Sequence, residues 1–439
     1  GIGSQAKALK NIGADFEHYR ICEFDKYAVN SYNAIHGTDF PVSDITKWHA
    51  SDMGIEEKDK YEYIMTYSFP CFVGDSLVLT DKGYKRIDEI KIGDMVLSHD
   101  NKYHKVLNVF NNGEKEVFNI NGMEFDSIKA TANHKFYTRE RYRKGHLGIR
   151  TFRDPVWKEL KDLTKNDYLG MAINQNSIVP EWDGIDFVWS DGRATRHKNE
   201  LSELMQDENF WWVVGRYVAD GWTRKQGGVV ISSGYHKTAI IEERLNKVFK
   251  YNIANEGTAA KYHIPLKEFQ KFVTQFGVGA INKKIPGFVI DLPCDLLKAF
   301  LDGYMSGDGC FTENHCKATS ISRELIYGIA QCVAKVYHRP CSVYKITRKP
   351  TCVIEGRTVN QNHSFDVAWK TQNNKQDNAF YEDGYIWFPI TSIKQDGIET
   401  VYDIEVEDSH SFTVQNTIVH NCQSLSVAGK GEGMAKGSG

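Results

Sequence analysis

The 439-residue chain is 41% hydrophobic and 25% charged, with a formal net charge of −3. That apolar content suits packed cores in roughly two to four domains and excludes a low-complexity or disordered polymer. The near balance of charge excludes a globally basic nucleic-acid binder, and no run of about 18 apolar residues is present to span a membrane. In chain order, residues 1–70 begin with the glycine turn Gly1-Ile2-Gly3, which leads into an amphipathic helix. YRICEFD at 19–25 then reads as a short apolar strand, so this part looks like a βαβ unit without its first strand. From Cys71 the texture changes to short strands with Gly and Asp turns: SLVLT, DKGYKRIDEI, KIGDMVLSHD, HKVLNVFNNG and KEVFNI. Such close spacing predicts an all-β, self-closing fold, which the pattern carries to about residue 175. Residues 176–385 show helical periods and longer basic strands, and β texture returns over 386–421. The nine cysteines form no CxxC pair, and the N-terminus lacks a hydrophobic signal segment. A cytoplasmic, reducing location is expected.

Val419-His420-Asn421-Cys422 places three reactive side chains in a row. Asn can cyclise onto its own carbonyl and break the following bond, His can polarise that carbonyl, and a Cys thiol can carry an acyl group. Far upstream, Tyr67-Ser68-Phe69-Pro70 precede Cys71, while Cys422-Gln423-Ser424 follow Asn421. Removing 71–421 joins the two into FPCQS. The joined string resembles the Pro-Cys-Gln catalytic loop of DNA cytosine-5 methyltransferases, interrupted immediately before its nucleophilic Cys. The interrupting segment resembles an intein.

The methyltransferase resemblance implies that 1–70 and 422–439 are α/β, Rossmann-like fragments of a host whose substrate is DNA. Gly1, Gly3, Glu23, Phe24 and Asp44 match the places that bind S-adenosylmethionine in that family. The family's later motifs are absent, so these fragments are not expected to methylate DNA by themselves.

Within 71–421, CFVGDSLVLT followed by IKIGDMVLS resembles the first splicing block of inteins, and Thr131-Ala132-Asn133-His134 matches the Thr-x-x-His block. VYDIEVEDSHSFTVQNTIVHN resembles the two last blocks, which marks Asp403, His410, His420 and Asn421. The implied fold is the all-β horseshoe shared with Hedgehog autoprocessing domains, assembled from 71–175 and 386–421. The implied chemistry is splicing without a cofactor. Cys71 attacks the carbonyl of Pro70, Cys422 takes over the acyl group, Asn421 cyclises, and the exteins are ligated. His134 is expected to protonate or distort the first scissile amide, Asp403 to tune the thiols, and His410 with His420 to assist Asn421. Pro70 restricts the backbone at the first junction and is expected to slow that step.

Two segments of 176–385 resemble each other: WWVVGRYVADGW at 211–222 and AFLDGYMSGDGC at 299–310. Each places small residues four apart, Gly215/Ala219 and Gly303/Gly307, and each ends in Asp-Gly. Small residues at that spacing flatten one helix face, so two backbones can touch and the terminal carboxylates meet. The pair resembles the dodecapeptides of LAGLIDADG homing endonucleases, which implies an α+β nuclease domain inserted in the splicing domain. Asp220 and Asp308 would hold Mg²⁺, and Lys283, in Lys283-Lys284-Ile285-Pro286, would be the catalytic lysine. The partner would be double-stranded DNA at a homing site, and the protein is expected to be a monomer. The basic, alternating strands near WTRKQGGVVISS and SVYKITRKPTCVIEGRTVNQ suit a DNA groove. The rival reading is an autoprocessing domain that cleaves without ligating, with a degenerate DNA-binding insertion.

Overall fold

The computed structural model describes residues 9–11, 13–23, 26–43, 48, 50–55, 70–143, 150–188, 195–354, 357–372 and 378–421. The chain divides into two compact units, residues 1–68 with 424–439, and residues 69–423.

In the first unit a helix spans Lys26–His36. The Asn33 side chain ends it, accepting from Thr38 Oγ1 and Phe40 N–H and donating to the Phe40 carbonyl, while Gly37 turns the backbone at φ +66°. The strand expected at YRICEFD does not form over Tyr19–Glu23. A short apolar run makes a strand only where a second backbone edge pairs with it. Here the link is sporadic: Ser43 N–H donates to the Glu23 carbonyl and Ser43 Oγ to that of Ile21.

The second unit is mainly β. Its largest element is a 14-stranded sheet assembled from residues 72–172 and 380–420. Two long strands organise it. Tyr385–Val406 first pairs antiparallel with Asp167–Ala172, then crosses to run along Tyr103–Gly122, with register shifts that bend it on the way. HKVLNVFNNG and KEVFNI, read separately from sequence, are thus one strand. The end of Tyr385–Val406 also pairs with Phe72–Val73, so the sheet folds back on itself and both ends of the 71–421 segment lie in it. The closing hairpin, Ser411–Val414 and Thr417–His420, turns at Gln415 and Asn416, both left-handed (φ 45° and 64°). Such a turn matches the right-handed twist of paired strands. Val414 and Val419 join this hairpin to Val78 and Phe136 on its two sides.

Residues 208–370 repeat one pattern twice. The helix Glu208–Asp220 runs into a hairpin, the helix Thr238–Val248 follows, and two more strands complete a four-stranded sheet. The helix Cys294–Asp308 starts the second copy, with the helix Arg323–Tyr337 in the matching place and another four-stranded sheet. In both sheets the last of the four strands in chain order lies inside and the third at the edge, a separate hairpin at 351–360 intervening in the second copy. The two Asp-ended helices pack at backbone distance. A Cβ on Gly215 would lie 2.0 Å from the Phe300 carbonyl oxygen, and one on Gly303 would lie 2.0 Å from that of Trp212. Only glycine admits that approach.

Arg323–Tyr337 also braces the closing hairpin. Gln331 Nε2 donates to Asn416 Oδ1 (3.3 Å) and Gln415 Nε2 donates to the Tyr327 hydroxyl (3.1 Å). Tyr84 donates to Asn416 Oδ1, and Tyr327 and Arg323 both donate to Asp126. Among the described residues no helix is long and apolar enough to cross a membrane.

Candidate functional site

Cys71 directly precedes the strand Phe72–Val73 and is fully buried. Its N–H, part of the peptide bond to Pro70, donates to Thr131 Oγ1 (2.9 Å), and Thr131 N–H donates back to the Cys71 carbonyl (3.0 Å). Thr131 in turn donates its hydroxyl proton to Asn133 Oδ1 (2.8 Å), which fixes its lone pairs towards the Cys71 amide. Burial and the nearby Asp403 carboxylate push the Cys71 thiol up to about 12, against weaker pulls downward from Asn112 and Lys115. Asp403 itself is buried on the strand Tyr385–Val406, one residue beyond the Phe72↔Tyr402 pair.

His134 is wholly buried, its ring 4.0 Å from that of Phe72. Burial, reinforced by the field of His420, drives its pKa down to about 3 although the Lys135 carbonyl pulls the other way. Thiol and imidazole therefore both rest uncharged near neutral pH. His134 is therefore no standing acid at neutral pH.

At the other junction, Asn421 N–H donates to the His410 carbonyl (2.9 Å). With its amide set so that donor faces acceptor, Asn421 Nδ2 also donates to that carbonyl and Oδ1 accepts from Val406 N–H, each at 2.7 Å. His420 Nδ1 lies 2.6 Å from the Asn421 carbonyl oxygen, the carbonyl of the bond to Cys422. The His410 and His420 ring centroids are 6.5 Å apart with the planes nearly parallel, and the Trp157 ring stands perpendicular to that of His420 with centroids 5.0 Å apart. Burial lowers the His420 pKa, and the hydrogen bond to Asn421 partly restores it. The His410 backbone is left-handed (φ 49°), which turns the chain into the hairpin.

The second cluster lies where the two packed helices end. Burial and the Asp220 carboxylate raise Asp308 to about 6, while Lys283, Arg216 and Lys237 pull it down. Lys283 Nζ donates to the last-turn carbonyls of Val218 (2.5 Å) and Ala219 (3.0 Å), and Lys237 Nζ does the same for Ser306 (2.8 Å) on the other helix. Cations suit helix C-termini, where carbonyl dipoles point outward. Burial lowers the Lys283 pKa against the attraction of Asp308 and Asp220. Arg216, buried inside the first helix, brings Nη1 to 2.5 Å from Asp220 Oδ2, an ion pair whose angle falls short of a hydrogen bond. Two carboxylates whose repulsion already raises one of them fit a hard divalent cation. Among the described residues no group of three or more His, Cys, Asp or Glu stands together, so further ligands would come from phosphate and water.

The fold thus brings Cys71, Thr131, His134 and Asp403 together at one end of the 71–421 segment, His410, His420 and Asn421 at the other, and Asp220, Asp308 and Lys283 into one cluster. Cys422, Gly1, Gly3, Phe24 and Asp44 lie outside the described residues. Glu23 is described, half-buried, in the first unit. Four neighbours of these groups were not singled out from sequence. Asn112 and His99 carry no local signal: sheet pairing brings Asn112 to Cys71, and a turn bonded to Ser411 brings His99 towards His420. Lys237 is one of many exposed-looking lysines. Arg216 had a signal: it is the one charge in the otherwise apolar run WWVVGRYV.

A family model described as the intein splicing domain matches residues 77–421. An uncharacterized protein of Methanocaldococcus jannaschii is 23% identical over 398 residues, covering 80% of this chain and 50% of that protein. The orphan methyltransferase M.SPBetaI of Bacillus phage SPbeta is 41% identical over 75 residues, 16% of this chain and 15% of that protein. The crystal structure of the Ssp DnaB mini-intein variant M86 aligns with a TM-score of 0.29 at 12% identity, covering 82% of this chain and 99% of that one. The chain spans about half the length of the curated relatives it first matches.

Proposed function

The chain belongs to the intein splicing domain family, and on that premise we propose that it excises residues 71–421 and joins Pro70 to Cys422. Cys71 Sγ adds to the Pro70 carbonyl carbon. The C–N bond to Cys71 breaks, the thiol proton passes to the released amine, and a thioester remains. The Cys422 thiol then takes the acyl group, restoring the Cys71 thiol. Asn421 Nδ2 attacks its own carbonyl carbon and the bond to Cys422 breaks, leaving a succinimide. The freed Cys422 amine captures the acyl group as a peptide bond. The observation that carries this reading is His420 Nδ1 at 2.6 Å from the Asn421 carbonyl oxygen. With its proton on Nδ1, that imidazole polarises the carbonyl under attack. Thr131 supports the other end by accepting the N–H of the first scissile amide and fixing its plane.

The test is mass spectrometry of the expressed chain. Parent protein should yield free 71–421 and ligated 1–70/422–439, and Cys71→Ala with Asn421→Ala should yield intact chain. An unchanged product pattern in that double variant would overturn the mechanism. Cleavage at both junctions without ligation would favour an autoprocessing domain instead.

The same reading makes the repeated helix–sheet part a homing endonuclease acting on double-stranded DNA. Its support is the pair of helices in backbone contact, with Asp220 and Asp308 at their ends and Lys283 between them. A bound Mg²⁺ would stabilise the phosphate oxygens and activate water; Asp220 and Asp308 would hold it, and Lys283 would set their charge. The host is a DNA cytosine-5 methyltransferase using S-adenosylmethionine. That part rests on the joined motif Phe69-Pro70-Cys422-Gln423-Ser424 and on the short 41% match to the phage methyltransferase. Cys422 would then serve twice, in splicing and as the nucleophile towards cytosine.

A further inference from the structure

We infer that Asn112 is a catalytic residue of the first splicing step, its side-chain amide donating to the Cys71 sulfur as that sulfur becomes the nucleophile. The inference rests on the splicing reading above. Asn112 Nδ2 stands 3.1 Å from Cys71 Sγ. Cys71 packs against Val73, Val117 and Val401, with the buried Asp403 carboxylate close enough to act on the thiol. An amide facing such packing is costly unless it is bonded, and a sulfur with developing negative charge is a far better acceptor than a resting thiol.

The backbone places Asn112 there by a specific device. Across the two long strands Asn111 pairs with Tyr402 and Glu114 with Thr400, so Asn112 and Gly113 together face the single residue Val401. That is a β-bulge. Gly113 takes φ +65°, and its N–H donates to Asn111 Oδ1 (3.1 Å), which holds the bulge in shape. Bulges redirect a side chain without breaking the strand. On the partner strand, Val401 pairs with Val73, two residues from Cys71 on the same face, so the bulge aims Asn112 at the sulfur from across the sheet.

The chemistry follows. The Sγ electron pair goes to the Pro70 carbonyl carbon, the C–N bond breaks towards the Cys71 nitrogen, and the thiol proton ends on that nitrogen. Charge on sulfur develops before the new C–S bond consumes it. Asp403 opposes that charge, and burial opposes it more strongly. Asn112 is a neutral donor that lowers the cost without presenting an acid that could quench the thiolate.

The two junction reactions can be read apart. Thiol-induced cleavage before Cys71, in an Asn421→Ala/Cys422→Ala background, reports the first step. Cleavage after Asn421, in a Cys71→Ala background, reports cyclisation. Asn112→Ala should slow the first reaction by about tenfold to a hundredfold, the scale of one hydrogen bond to a charged group, and leave the second within about twofold. Asn112→Gln, which keeps the donor, should recover part of the loss, and Asn112→Asp, which adds a negative charge, should recover none. Equal slowing of both reactions, or no slowing of the first, would overturn the role of Asn112 and leave splicing intact. Absence of thiol-induced cleavage in the unsubstituted background would overturn the splicing reading, and this inference with it.

Discussion

The two reactive clusters differ in how many charged groups they gather and how far one of them opens to solvent. Around Cys71 and Asn421, burial disfavours charge on Cys71, His134 and His420, and on the proposed reading the groups they act on are peptide bonds of the same chain. At the helix ends, Asp220, Asp308, Lys283 and Arg216 crowd together, and the Asp220 side chain is 39% exposed. A site whose substrate is already covalently in place can be sealed and dry. A site for an external polyanion must stay open and keep charges to meet it. The difference can be broken or sharpened by substitution, beginning where the effect should be largest.

Asp220→Asn or Asp308→Asn should abolish DNA cleavage, a loss of roughly a thousandfold or more, while splicing proceeds at the parent rate. Supercoiled plasmid carrying the uninterrupted host sequence is the substrate for the first assay, and mass spectrometry reads the second. Persisting cleavage in both variants would remove the nuclease assignment. Gly215→Val should follow, because its added carbons would enter the Phe300 carbonyl at 2.0 Å. The helices would have to part, at a cost of about 3 kcal/mol or more, seen as a lower unfolding midpoint together with lost DNA cleavage.

The dry side gives a pH signature. Folded His134 binds its proton only near pH 3, whereas the unfolded side chain does so near 6.5. Between those values the unfolded state holds more protons. The stabilisation is therefore fully present above pH 6.5 and is lost as pH falls towards 3, on the order of a few kcal/mol. Urea midpoints at pH 7.5 and pH 4.5 should fall more steeply for the parent than for His134→Leu. Equal slopes would mean that His134 is not held neutral by the fold.

A smaller effect should cross between the regions. Gln331, on a helix of the repeated part, donates to Asn416 in the turn of the closing hairpin. Gln331→Leu should cost about 1–3 kcal/mol by leaving Asn416 and Tyr84 short of a partner, and should slow cleavage after Asn421 more than the first step. If both junction reactions keep parent rates, the helix only fills space there.

Much of this organisation was legible in the sequence because it is local. His420-Asn421-Cys422, Thr131-Ala132-Asn133-His134 and the two small-residue helices each declare themselves within about a dozen positions. What escaped is created by pairing. Asn112 reaches Cys71, 41 positions away, only because a bulge in one long strand faces Val401 in another. The bracing of Gln415 and Asn416 by Gln331 and Tyr327 joins residues 85 to 88 positions apart that no periodicity connects. YRICEFD failed for the converse reason: its apolar residues read as a strand, but over Tyr19–Glu23 no ladder forms among the described residues.

The most direct test is tandem mass spectrometry of the products of the unsubstituted chain. A ligated peptide should read through Phe69-Pro70-Cys422-Gln423, and the excised segment should end in a succinimide at Asn421, one water lighter than a free C-terminal asparagine. A junction peptide that is absent, with an excised segment ending in hydrolysed Asn421 from the outset, would contradict splicing by asparagine cyclisation.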